Sequence, residues 1–263
     1  MKICTVSLPL LMLLVACGGG STNLPSAVVT GAYEFLVTSN VTGGVTLVEA
    51  NLASNGNKSE ASGPSEVQVL TLEQKNWYLN GVCPGGAPGE NSVATSLNSN
   101  NVGITFNVGG NEFVAQGVVA GTTISGNYSI SGSKCQNLVG NVGFPSGFDS
   151  GGFTANPVPA LAGTFSGTLN LQAGSENAAL TLSEGKDHTL TVNAALKGVA
   201  FNGTVVLSGY AVGNVMFVSG SLNGGTLHLF GYLDRTGSFT GTAKSLLVFD
   251  YSTLAELGLL LGS

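Results

Sequence analysis

Acid–base catalysis near neutral pH falls most naturally to histidine, and this chain has only His188 and His228. Asp187 stands beside His188 at a predicted turn–strand junction. Adjacent residues of a strand point to opposite faces, so the two do not form a ready-made dyad. No G-x-S-x-G elbow presents a serine nucleophile. The loop Cys83-Pro-Gly-Gly-Ala-Pro-Gly-Glu90 lacks the Lys and following Ser/Thr of a phosphate cradle. Asp149-Ser-Gly-Gly and Asn55-Gly-Asn57-Lys-Ser-Glu60 lack the spacing of a calcium loop, and turns account for both. The expectation is therefore a protein that is not an enzyme, with no metal and no cofactor.

His228 carries the one candidate pocket. On a strand from Thr226 to Leu233 it shares a face with Phe230 and Tyr232, while Leu227, Leu229 and Leu233 take the other face. Apolar residues on both sides place such a strand in a core or along a cavity. In the first case the histidine is an ordinary hydrogen-bonded core residue. In the second, His228, Phe230 and Tyr232 line an interior pocket for a small apolar or aromatic ligand.

The N-terminus has its own logic. Lys2 is followed by an apolar run, Val6 to Ala16, then Cys17 and the segment Gly18-Gly19-Gly20-Ser21. Those 11 residues fall short of the roughly 20 that a spanning helix needs. A charge, a short apolar run and small residues form a secretory signal peptide. Leu14-Val15-Ala16-Cys17 resembles the lipobox of bacterial lipoproteins. The resemblance implies cleavage before Cys17, lipid on its thiol and a lipid-anchored protein of the cell envelope. Gly18 after the cysteine resembles the outer-membrane pattern. Two or more acyl chains hold a protein on a bilayer stably where one does so only marginally.

On that reading Cys4 leaves with the signal and Cys17 is occupied by lipid. Cys83 and Cys135 remain in a compartment that permits disulfides, and the expectation is a bridge between them, with two buried free thiols as the alternative. The mature chain, residues 17–263, holds seven basic and 14 acidic residues, and charged residues are 8% of the full sequence. A typical domain has about 25%. Nucleic acid is excluded as a partner because nothing basic is clustered to neutralise phosphates. The membrane, through the anchor, and an envelope protein or small apolar ligand are the partners left.

The elements that would position these residues are strands. Residues 18–30 are Gly-, Ser- and Pro-rich and read as a tether. Beyond them apolar residues recur with period two, as in Leu190-Val192-Ala194-Leu196 and Ala178-Leu180-Leu182, between turn clusters such as Asn223-Gly224-Gly225. The expected fold is all-β, a Gly-rich antiparallel meander closing into a barrel or sandwich. Mid-strand glycines at Gly117, Gly126, Gly167, Gly209 and Gly231 favour a strongly coiled sheet. In architecture alone this is similar to lipocalin-like and streptavidin-like barrels. That likeness implies a carrier of a small apolar ligand as the alternative to a structural or recognition domain. Gly31–Phe35 corresponds loosely to Gly163–Gly167, and Phe113–Gly117 to Leu227–Gly231. These matches suggest β units over 31–132 and 162–248 joined by a connection over 133–161, whether by duplication or by shared hairpin grammar. In the tail, residues 249–263, Thr253 and Glu256 fit a capping box for a short helix bearing Leu254, Leu257, Leu260 and Leu261.

Overall fold

The computed structural model describes residues 29–40, 43, 45–55, 58–59, 67–73, 76–79, 92–108, 111–132, 147–186, 188–198, 201–235, 245–250 and 256–262. The protein is all-β and antiparallel, and among the described residues no element is helical.

Ten strands form the first unit. They are β1 (Thr30–Ser39), β2 (Val45–Asn55), β3 (Lys58–Ser59), β4 (Val67–Glu73), β5 (Asn76–Leu79), β6 (Ser92–Asn98), β7 (Asn101–Val108), β8 (Asn111–Ala120), β9 (Thr123–Gly132) and β10 (Gly147–Pro157). Their order is β5-β4-β2-β1-β10-β9-β8-β7-β6, with β3 paired to β2. The sheet curls until β6 lies against β2 and β3, wrapping a core that includes Phe35, Val48, Ile104, Phe113, Ile124 and Phe153. Phe113 and Tyr128 stack with ring centroids 5.2 Å apart.

The second unit is a closed eight-stranded barrel. It consists of β11 (Ala162–Leu171), β12 (Gly174–Glu184), β13 (Thr189–Gly198), β14 (Asn202–Val212), β15 (Val215–Leu222), β16 (Gly225–Asp234), β17 (Ser245–Asp250) and β18 (Glu256–Gly262). The period-two pattern does here what it forecast. Leu180, Leu190, Val192, Ala194 and Leu207 point inward and are fully or almost fully buried, while Ser166, Thr168, Asn177, Thr191, Asn193 and Thr204 are exposed on the outside. Apolar inside and polar outside is the inverse of a barrel whose wall faces lipid.

Turn chemistry sets the hairpins. Asn223 and Gly224 both have positive φ, the type I′ arrangement that suits a two-residue loop. Gly213 alone has positive φ in the Gly213–Asn214 loop, as in type II′. Most of the mid-strand glycines serve close approach. A Cβ at Gly126 would collide with the Gln116 carbonyl, and one at Gly209 with that of Phe217.

Two sequence expectations are corrected here. The segment 133–161 is not simply a connection, because β10 lies in the middle of the first sheet between β1 and β9. Its glycines read as loop residues, yet Gly151 packs so close to the backbone of Thr38 that no side chain fits. The chain passes between the units over the four-residue stretch 158–161. The tail is not a helix either: Glu256–Gly262 is β18, paired to β17 and β11. Without it two strand edges would stand open, and closing them outweighs a helix cap of about 1 kcal/mol.

Candidate functional site

Phe230 and Tyr232 do not line the barrel interior. They sit on its outer face, because Leu229 and Leu233 occupy the inward positions of β16. His228 shares their face but lies beyond the covered patch and is exposed. The expected interior pocket is thus not formed by these three residues. Among the described residues the interior is filled: Leu180, Val192, Ala194, Leu207, Met216, Leu233, Leu246, Val248 and Leu260 have no accessible surface, whereas a water-sized void beside them would leave some.

What the aromatic residues build is a cross-strand row. Tyr210, Phe217, Phe230 and Phe249 stand opposite one another on β14, β15, β16 and β17. Successive ring centroids are 5.1, 5.3 and 5.4 Å apart, in the range of favourable aromatic pairs. Leu47 of β2 packs onto this row and covers it with the first unit.

Beside the row lies a buried polar cluster that sequence reasoning missed. Glu34 on β1 and Glu49 on β2 face each other across the ladder, on the side of the sheet turned away from the first unit's core. Glu34 is 6% exposed and Glu49 0%. The β14–β15 hairpin caps them. The Asn214 backbone N–H donates to Glu49 Oε2 at 2.9 Å, and its side-chain amide donates to Glu34 Oε2 at 2.9 Å. Asn214 Oδ1 accepts from Arg235 Nε at 2.7 Å, and its carbonyl accepts from the Leu233 N–H at 2.9 Å. The Tyr232 hydroxyl donates to Glu34 Oε2 at 3.0 Å. Asn51 acts as a piece of strand, donating to the Ala211 carbonyl at 2.8 Å and accepting from the Gly213 N–H at 3.3 Å.

The electrostatics follow from burial. Desolvation first, then the Glu34 charge and the hydrogen bond with Glu34, push the Glu49 carboxyl well above the usual carboxylate range; the Asn214 bonds oppose this without reversing it. Burial, followed by the Glu49 and Glu34 charges, raises the Tyr232 hydroxyl far above its ordinary value. Burial lowers Arg235 and the same two carboxyls pull it back up. Two adjacent carboxyls in a dry site do not both ionise when one guanidinium is the nearby compensation. One proton and one guanidinium make the cluster neutral.

The chain joining the units is held by the same groups. Val158 N–H donates to the Ala32 carbonyl at 2.9 Å, Arg235 Nη2 to the Pro159 carbonyl at 3.1 Å, and Leu161 N–H to Glu184 Oε2 at 2.6 Å. Glu184 Oε1 meets His188 Nδ1 at 2.7 Å. His188 therefore pairs with Glu184 across its turn, and it does so at φ 62°, a conformation uncommon for a residue with a side chain.

Gly213 tests the fit of the hairpin. A Cβ there would run into Glu49 Oε2, and its φ of 57° is already strained for any other residue. Gly213→Ala is expected to lose about 2–3 kcal/mol in urea unfolding, strain and collision together. Gly224→Ala meets open space at φ 81° and should lose only the strain, about 1 kcal/mol. Equal losses would show that the hairpin tip is not seated against Glu49.

Other predicted site residues fall elsewhere. Cys17, Cys83 and Cys135, and with them the lipidation and the bridge, lie outside the described residues. A further surface feature is an open trough of about 760 Å³ over β11–β14, bordered by Ser166, Thr168, Asn177, Lys197, Asn202 and Thr204.

Fold and joint together define a class: two antiparallel β units, one curled and one closed, locked through an aromatic row and a buried carboxyl pair. Searches of protein families, of curated proteins and of solved structures find no match to this chain.

Proposed function

We propose that this protein is a lipid-anchored component of the bacterial cell envelope whose β body serves structure or recognition rather than catalysis. The observation that carries the reading is Leu14-Val15-Ala16-Cys17, four residues in lipobox order at the end of an apolar run of 11. The acyl chains hold the N-terminus at the outer membrane, and the β body begins at Val29, already buried in the first core. A filled barrel with an outer wall of hydroxyls and amides suits contact with polar, uncharged surfaces. The trough over β11–β14, with Lys197 as its single charge, is the face offered to a partner.

Cys17→Ser removes the acceptor thiol and is expected to release the protein from the membrane fraction into the periplasm or medium. Mass spectrometry of the unaltered protein should find an acylated residue 17 as the new N-terminus. A Cys17→Ser protein still sedimenting with membranes, or an unaltered chain retaining residues 1–16 without lipid, overturns the reading.

A further inference from the structure

We propose that the joint between the two units is a proton-binding site: one proton held between Glu34 and Glu49 closes the units on each other, and its release opens them. The geometry carries this. Both carboxyls are on the outer face of the first sheet, hydrogen-bonded to each other, and every described group that seals them comes from the second unit: Asn214, Tyr232 and Arg235. In the closed joint the Glu49 carboxyl donates its proton to the Glu34 carboxylate, and Arg235 balances the one remaining charge. When that proton passes to solvent, two carboxylates face one guanidinium. The uncompensated charge is relieved by admitting water, which means parting the β14–β15 hairpin from β1 and β2.

The surrounding groups leave the pair in control. Opposite Glu34 on β10 stands neutral Asn156, and opposite Glu49 on β4 stands neutral Gln68. From β16 come Tyr232, which stays protonated, and Asp234, whose negative charge adds to the repulsion felt there. From β12 Glu184 faces Arg235 while paired with His188. The sign follows from Glu49, whose carboxyl is raised in the folded protein. Its contribution is complete below the ordinary carboxylate range and is lost as pH climbs through the raised value. The joint closes toward acid and opens toward alkali.

Hydroxyl-radical footprinting of the full chain across the neutral and alkaline range reads the opening directly. Phe217, Phe230, Tyr232 and Phe249 should be protected at the acid end and modified several-fold faster at the alkaline end. Phe165 inside the barrel should stay protected throughout, which separates opening from unfolding. Glu49→Gln mimics the protonated carboxyl, and Glu34→Gln leaves one carboxylate balanced by Arg235, so both variants should stay closed at every pH. Infrared spectra of the unaltered protein should show a protonated carboxylic acid at neutral pH, missing in Glu49→Gln. A pH-independent footprint in the unaltered protein, or opening of both glutamine variants at the unaltered midpoint, overturns the proposal.

Discussion

Exchanging Arg235 for methionine is expected to remove about 3–5 kcal/mol of unfolding free energy, the cost of leaving a buried charge without its partner. Arg235 is 9% exposed, and its Nε and Nη2 bonds go to Asn214 and Pro159. Methionine keeps much of the volume and none of the charge, so packing loss is small beside the electrostatic loss. The deficit should depend on pH. It is deepest while the joint is closed around the one carboxylate that Arg235 balances, and shrinks toward acid as the carboxyls take up protons. Adding Glu34→Gln to Arg235→Met should recover part of the loss, because the orphaned charge goes with it. Urea unfolding followed by circular dichroism at several pH values measures all three. A loss near 1 kcal/mol that ignores pH is the size of an exposed pair, and would mean that the guanidinium does not neutralise the cluster.

The joint was hidden in the sequence for a physical reason. Period two in Leu190-Val192-Ala194-Leu196 reveals which face of β13 is buried, since one core claims that face. The same rule assigns Glu34 of Tyr33-Glu34-Phe35 to a wet face, because its neighbours belong to the first core. What it cannot reveal is that a second unit covers that face. Glu49 in Leu47-Val48-Glu49-Ala50 is a like case, with Leu47 claimed by the aromatic row and Val48 by the first core. A signal did exist: two glutamates at strand centres are conspicuous in a chain with 14 acidic residues, and Gly213-Asn214 between apolar strands announces a tight hairpin. The alternation on β16 was also legible, and it correctly grouped His228, Phe230 and Tyr232 on one face. Which face pointed inward was not legible, since leucines on one side and aromatic residues on the other are equally apolar. Glycine misled most where it serves contact rather than turning, as at Gly151, so β10 looked like a loop.

The C-terminal segment permits the sharpest test of strand against helix. In a helix begun at Thr253, Leu260 and Leu261 are neighbours on one apolar stripe, and a charge at either position does similar damage. In β18 they face opposite ways. Leu260 is 0% exposed and packs in the barrel core, while Leu261 is 62% exposed. Leu260→Asp would bury an unpaired carboxylate in a filled apolar interior and is expected to cost at least about 4 kcal/mol, enough to unfold a marginal domain. Leu261→Asp should change stability by no more than about 0.5 kcal/mol. The contrast reaches beyond the two side chains, since β18 pairs with both β17 and β11 and closes the barrel. Unfolding of Leu260→Asp should therefore strip cooperative stability from the whole second unit, measurable as lost amide protection on β11 and β17 alike. Equal effects at the two positions would return the tail to a helix lying against the barrel, and would leave the edges of β11 and β17 without the strand that joins them.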